Sequence, residues 1–137
     1  DRMYGVAKGF GELLARYYFD KYGIETASVR IGSCFEAPRN RRMLATWMSF
    51  DDFTSLVRHV IDADRVGYAV VYGASNNAQS WWDNRLTGYL GWQPLDSADN
   101  FAADPALTDE VANPSDPAVR FQGGAFAAAG HFEDSTD

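Results

Sequence analysis

Two residues near the start of the chain have the types and spacing that proton chemistry uses: Tyr4 and Lys8, in Tyr4-Gly5-Val6-Ala7-Lys8. On a helix, residues four apart share a face, so a phenol and an ammonium at this spacing point into the same space. A phenol, with an ordinary pKa of about 10, accepts a proton at neutral pH only if its anion is stabilised by roughly 4 kcal/mol. One positive charge about 4 Å away, at an effective dielectric of about 20, supplies that much. The pair is a proton acceptor that requires no metal. The same spacing also occurs on ordinary surface helices, so the rest of the chain has to supply the context.

The elements that would position this pair are legible in order. Val6, Phe10, Leu13, Leu14 and Tyr17 recur at helical spacing as one apolar stripe, with Glu12 and Arg16 paired four apart on the other side. Gly23, after Lys21 and Tyr22, is a left-handed cap that ends the helix. Gly9 and Gly11 inside it each cost about 1 kcal/mol against alanine, which points equally to a close approach by a neighbour or ligand and to tight helix packing. From Glu25 to Ile31 the residues Ala27, Val29 and Ile31 alternate with Thr26, Ser28 and Arg30, a strand pattern that Gly32-Ser33-Cys34 ends. A loop carrying Pro38, Arg39, Asn40, Arg41 and Arg42 leads into a short apolar segment, Met43 to Met48.

Ser49 or Asp51 caps a second helix running through Asp62, with Phe53, Leu56, Val57, Val60 and Ile61 on its buried side. Helix capping accounts for Asp51 and Asp52 without any acid or base role. Tyr68 to Tyr72 is apolar throughout, as a strand covered on both faces should be, and Gly73-Ala74-Ser75-Asn76-Asn77 leaves its carboxyl end. Beyond Asn77 the pattern breaks. Trp81-Trp82-Asp83-Asn84 reads as a short aromatic helical piece packed in the core, Gly91-Trp92-Gln93-Pro94 as a turn, and Ser97 to Val111 as a last helix interrupted by Pro105. Asn113 to Asp116 is turn-forming linker, and the acidic last residues have the composition of disorder. Helix, strand, helix, strand is half of a parallel α/β layer; two such strands do not make a sheet that buries both faces, so the expectation is the second half of an α/β domain.

At 137 residues, 46% apolar and 15% aromatic, the chain is the size of one small domain with enough apolar surface for a core. A formal charge of −7 argues against nucleic acid or an anionic membrane as partner, since both call for a concentrated basic surface. No apolar run approaches the roughly 20 residues of a spanning helix. The one cysteine, Cys34, cannot form an internal disulfide, and His59 and His131 without a cysteine pair make a zinc site improbable. The expectation is a soluble cytoplasmic protein without a metal.

The chain resembles the extended short-chain dehydrogenase/reductases, the superfamily of sugar epimerases and dehydratases, and within it the hexuronate (uronate) dehydrogenases. The general likeness lies in Tyr4-x-x-x-Lys8 on a helix ahead of the strand ending Val29-Arg30-Ile31-Gly32. The specific likeness lies in Arg30-Ile31-Gly32-Ser33-Cys34-Phe35, Arg42-Met43-Leu44-Ala45-Thr46-Trp47, Gly73-Ala74-Ser75-Asn76, Trp81-Trp82-Asp83-Asn84, Gly91-Trp92 and Gln122-Gly123-Gly124-x-Phe126. The resemblance implies the C-terminal half of a Rossmann-like doubly wound parallel sheet, without the N-terminal dinucleotide-binding half. Residues 1–112 would form the C-terminal part of that domain with elements of the substrate pocket, and 113–137 a tail.

It further implies that Tyr4 is the catalytic base, that Lys8 supports it and hydrogen-bonds the nicotinamide ribose, and that Ile31 joins them at the NAD site. Ser33, Arg42 and Phe126 would line the pocket for a hexuronate. A planar guanidinium holds a carboxylate by two parallel charge-assisted hydrogen bonds, which a neutral sugar cannot exploit. Arg42 takes this role over Arg39 and Arg41 by its place in Arg-Met-x-x-Thr-Trp. Read without the resemblance, Ser33 is a turn residue satisfying its own backbone, Arg42 a solvated loop arginine, and Phe126 plain packing. No Gly-x-Gly-x-x-Gly follows a strand, and the serine or threonine expected beside the reacting hydroxyl is absent, so these residues alone are expected to show little or no activity.

The implied reaction is NAD-dependent oxidation of glucuronate or galacturonate at the anomeric carbon to an aldarolactone, in an enzyme expected to be a homo-oligomer. Two other readings stay open. One is a nucleotide-sugar epimerase or dehydratase of the same superfamily, which would need a larger C-terminal region than follows Asn76. The other is a non-catalytic binding or subunit-contact module that keeps the first helix as scaffold.

Overall fold

A computed structural model describes residues 2–108, 113–121 and 123–129. The expected helix end at Val111, Gln122 of the tail motif, His131 and the acidic last residues lie outside the described residues. The chain divides into two compact units, Asp1–Leu13 with Val111–Asp137, and Leu14–Glu110.

Helix α1 spans Arg2–Tyr22. It ends where the sequence places its cap: Gly23 takes φ of 69°, and the Ile24 N–H reaches back to the Tyr18 carbonyl at 3.5 Å. An alanine there would carry its Cβ into the left-handed region, so Gly23→Ala is expected to destabilise the chain by about 1–2 kcal/mol, read from the midpoint of urea unfolding. The apolar stripe of α1 exists but is not buried: Val6, Phe10, Leu13, Leu14 and Tyr17 are all exposed. Gly9 and Gly11 have open space where a Cβ would sit, so tight helix packing does not account for them among the described residues. Arg16 pairs with Asp20, four residues on, at 2.7 Å.

In the larger unit, strand β1 (Thr26–Ile31) pairs in parallel with β4 (Tyr68–Gly73), in register from Thr26 opposite Tyr68 to Ile31 opposite Gly73. A second parallel pair joins β2 (Ser33–Cys34) to β3 (Trp47–Met48), with the four-residue helix α2 (Met43–Thr46) running straight into β3. Helix α3 (Phe50–Asp62) is capped by Ser49, whose hydroxyl accepts from the Asp52 N–H at 2.9 Å. Its buried face closes on the β1/β4 sheet: Leu56 is enclosed with Met48, Ala69, Val71, Leu90 and Trp92, and Phe53 and Val60 pack against them. Val57 and Ile61, expected on that side, are exposed; they lie about 100° round the helix from Leu56 and Val60, beyond what one layer covers. This parallel α/β layer agrees with the C-terminal half of a Rossmann-like fold.

On the other sheet face, the Arg16 guanidinium sits over the Tyr68 ring, and Tyr72 stacks on Trp82 with ring centroids 5.3 Å apart. The segment Trp81–Asn84 has no regular secondary structure, not the helix expected; the short helix begins only at Arg85 and is a 3₁₀ turn, Arg85–Leu90. The reason lies in Asn84. Its side-chain amide accepts from the Tyr72 N–H and donates to the Tyr72 carbonyl, both at 2.9 Å, so the end of the segment is held against the edge of β4 and is not free to wind into a helix. The region from Ser97 likewise splits into a 3₁₀ turn, Ala98–Phe101, and α4, Pro105–Thr108. Pro105 starts α4 instead of breaking a longer helix, the position where its missing N–H costs nothing. Leu44, Trp47, Ala98 and Leu107 form a second small core beside α2. In the smaller unit the tail holds α5 (Pro117–Arg120) and α6 (Ala125–Ala128).

Candidate active site

Tyr4 and Lys8 lie one turn apart on α1 and face the same way: the Lys8 Nζ stands 5.2 Å from the centre of the Tyr4 ring. Both side chains are exposed, Tyr4 to 69%, so the phenol is open to a ligand. In the same unit Phe126 sits on α6, with its ring exposed; Gly124, just ahead, takes φ of 55°.

Ile31, Ser33 and Arg42 belong to the larger unit. Ile31 closes β1 at its carboxyl end, half exposed, where open α/β sheets place ligands. Gly32 follows, its N–H bonded to the Gly73 carbonyl at 2.9 Å and its α-carbon pressed against the backbone of Thr46. This contact turns the chain so that Ser33 enters β2 opposite Trp47. Ser33 is buried, and its Oγ lies 3.1 Å from Oγ1 of Thr46, a residue with no exposed surface. Ser33 therefore bonds to a neighbouring side chain and does not merely satisfy its own turn.

Arg42 stands at the N-terminus of α2 in helical conformation. Its guanidinium is partly buried, and that burial pushes its pKa below the usual arginine range; the group nevertheless keeps its charge. A cation already stripped of part of its water binds an arriving carboxylate more strongly than a hydrated one. Arg39 and Arg41 are exposed, and Arg39 lies 3.9 Å above the Phe35 ring. Arg42 is thus the one of the three that burial sets apart. The Arg42 carbonyl accepts from the Thr46 hydroxyl at 3.5 Å, so Ser33 and Arg42 are tied to the same threonine.

Several residues that hold this corner together are not evident in the sequence. Asp52, read there as a helix-start residue, is buried, and its carboxylate accepts from the Leu95 N–H at 2.8 Å, the Asp96 N–H at 3.1 Å and the Ser75 hydroxyl at 2.5 Å. Ser75 Oγ in turn accepts from the Ser49 N–H at 3.0 Å. Asn77 donates to the Trp47 carbonyl at 2.8 Å and accepts from the Ala98 N–H at 2.8 Å. The loop after β4 is thereby fastened to the end of α2 and to the start of α3. The sequence signal was a run of polar residues following an apolar strand; which of them turn inward is decided by partners about 20 to 40 residues away in the chain. Burial raises the Cys34 thiol pKa, which disfavours its reactive thiolate. Among the described residues no group of three or more His, Cys, Asp or Glu could hold a metal ion, and no helix is long and apolar enough to cross a membrane.

No family model matches the chain. It is 55% identical over 126 residues to a uronate dehydrogenase of Agrobacterium fabrum, a match covering 92% of this chain and 48% of that protein. Its fold superposes on the crystal structure of glucuronic acid dehydrogenase from Chromohalobacter salexigens with a TM-score of 0.90 at 48% identity, over 98% of this chain and 51% of that one. A tyrosine-to-alanine mutant of uronate dehydrogenase from Agrobacterium tumefaciens, complexed with NAD, superposes with a TM-score of 0.84 at 54% identity, over 90% of this chain and 46% of that one. The chain spans about half the length of the proteins it matches.

Proposed function

The chain is homologous to the uronate dehydrogenases along nearly its whole length, and we propose that it carries the proton acceptor and much of the substrate pocket of an NAD-dependent oxidoreductase that oxidises a hexuronate at its anomeric carbon. The observation that carries this reading is the likeness at about half of all positions to proteins named for that activity. It is supported by the shared face of Tyr4 and Lys8 and by the partly buried Arg42.

In this reading the Tyr4 oxygen takes the proton of the anomeric hydroxyl, and the Lys8 ammonium steadies the phenolate. Arg42 holds the sugar carboxylate through its guanidinium, Ser33 hydrogen-bonds a sugar oxygen, and Phe126 borders the ring. In the larger unit Ile31 ends a parallel strand, the place where open α/β sheets bind nucleotides, and this supports a nicotinamide nucleotide as the cofactor. NAD, when bound, supplies the acceptor for the hydride that leaves the anomeric carbon. We place the complete enzyme in the cytoplasm, as a homo-oligomer with a hexuronate as its substrate.

Arg42→Ala in the complete enzyme is the test. Its kcat/KM on glucuronate is expected to fall about 10- to 100-fold, the worth of a charge-assisted pair of hydrogen bonds, while any turnover of a neutral hexose stays unchanged. Equal loss on both sugars would remove the carboxylate clamp from the proposal. A nucleotide sugar that competes for the site would favour an epimerase or dehydratase instead.

A further inference from the structure

The hydroxyls of Ser33 and Thr46 are 3.1 Å apart, and that of Thr46 is also within reach of the Arg42 carbonyl, at 3.5 Å. Thr46 is fully buried and Ser33 is 6% exposed, so ordinary solvent does not compete for these bonds. A hydroxyl carries one proton and two acceptor lone pairs. A threonine late in a helical turn commonly gives its proton to the carbonyl four residues back. Once Thr46 does so, the bond between the two side chains has one polarity: Ser33 donates and Thr46 accepts. The backbone holds the two residues together independently of this bond, since Gly32 is packed on Thr46 and Ser33 lies opposite Trp47 in the β2/β3 pair.

We propose that Thr46 is the positioning residue for Ser33: by accepting the hydrogen bond of the Ser33 hydroxyl it fixes the rotamer of Ser33 and leaves the Ser33 oxygen as an acceptor for a hydroxyl of the sugar. The Arg42 carbonyl, 3.5 Å from the Thr46 hydroxyl, takes up the hydrogen that Thr46 donates and so leaves the Thr46 oxygen to accept from Ser33. This rests on the reading that Ser33 touches the substrate.

The test is a double-mutant cycle in the complete enzyme, with glucuronate varied at saturating NAD. Thr46→Val keeps the shape of the side chain and removes the hydroxyl; it is expected to raise KM for glucuronate about 10-fold while kcat and KM for NAD change less than about 2-fold. Thr46→Ser, which restores the hydroxyl, is expected to return KM to within about 2-fold of the parent enzyme. In a Ser33→Ala background Thr46→Val is expected to add nothing, because the hydroxyl it would position is gone. If Thr46→Val fails to fold, Thr46→Ala serves in the same cycle. Equal increases in KM in both backgrounds would overturn the inference, as would an unchanged KM in Thr46→Val beside a raised one in Ser33→Ala. An unchanged KM in Ser33→Ala would overturn the underlying reading of Ser33, and the inference with it.

Discussion

Tyr4→Phe in the complete enzyme is expected to lower kcat on glucuronate by about 10²- to 10⁴-fold, the usual contribution of a positioned general base. The substitution removes one oxygen and keeps the ring beside which the Lys8 ammonium sits, so the local contact survives. Tyr4 is largely exposed, and deletion of an exposed hydroxyl leaves stability within about 0.5 kcal/mol. Loss of rate should therefore come without loss of fold. Two readings together check this: turnover by NADH absorbance and the thermal midpoint. A fall in kcat of less than tenfold would show that another group takes the proton.

Gly32→Ala is expected to be strongly destabilising, with the tightest Cβ contact among the described glycines. An ideal Cβ at Gly32 would collide with the Thr46 carbonyl oxygen and lie 2.8 Å from a ring carbon of Trp82. The oxygen belongs to backbone held on both sides, by the Asn77 amide on the Ala45 carbonyl at 3.4 Å and on the Trp47 carbonyl at 2.8 Å, so it cannot yield as a side-chain tip would. Overpacking of this kind costs roughly 3 kcal/mol or more, and here it also pushes Ser33 away from Thr46. Gly88→Ala is the control: nothing lies within 4 Å of its Cβ position, and a change of less than about 1 kcal/mol is expected. Urea unfolding of the two variants beside the parent chain compares them directly. Similar midpoints for both would mean that the Gly32 contact does not hold the turn.

What the sequence disclosed follows from the range of the forces involved. The ends of α1 and α3 and the positions of β1 and β4 are set by local features, namely Gly23, Ser49 and apolar alternation, and these were readable one residue at a time. Trp81–Asn84 was misread because its shape is dictated by Tyr72, twelve residues away from Asn84, and no local pattern announces an asparagine that stands in for a strand. Asp52 was misread for a similar reason. Its capping position was visible, but the Leu95 and Asp96 amides that draw its carboxylate inward were not. Of the candidate site, the Tyr4 and Lys8 spacing was legible as chemistry, whereas Ser33 and Arg42 gained meaning only from kinship, and Thr46 only from coordinates.

The amide of Asn84 has one more effect. By occupying both hydrogen-bonding groups of Tyr72, it seals one margin of the sheet, so no further strand can be stitched on beside that residue. A stray peptide seeking a ladder on β4 must therefore displace the Asn84 amide before it can pair beside Tyr72.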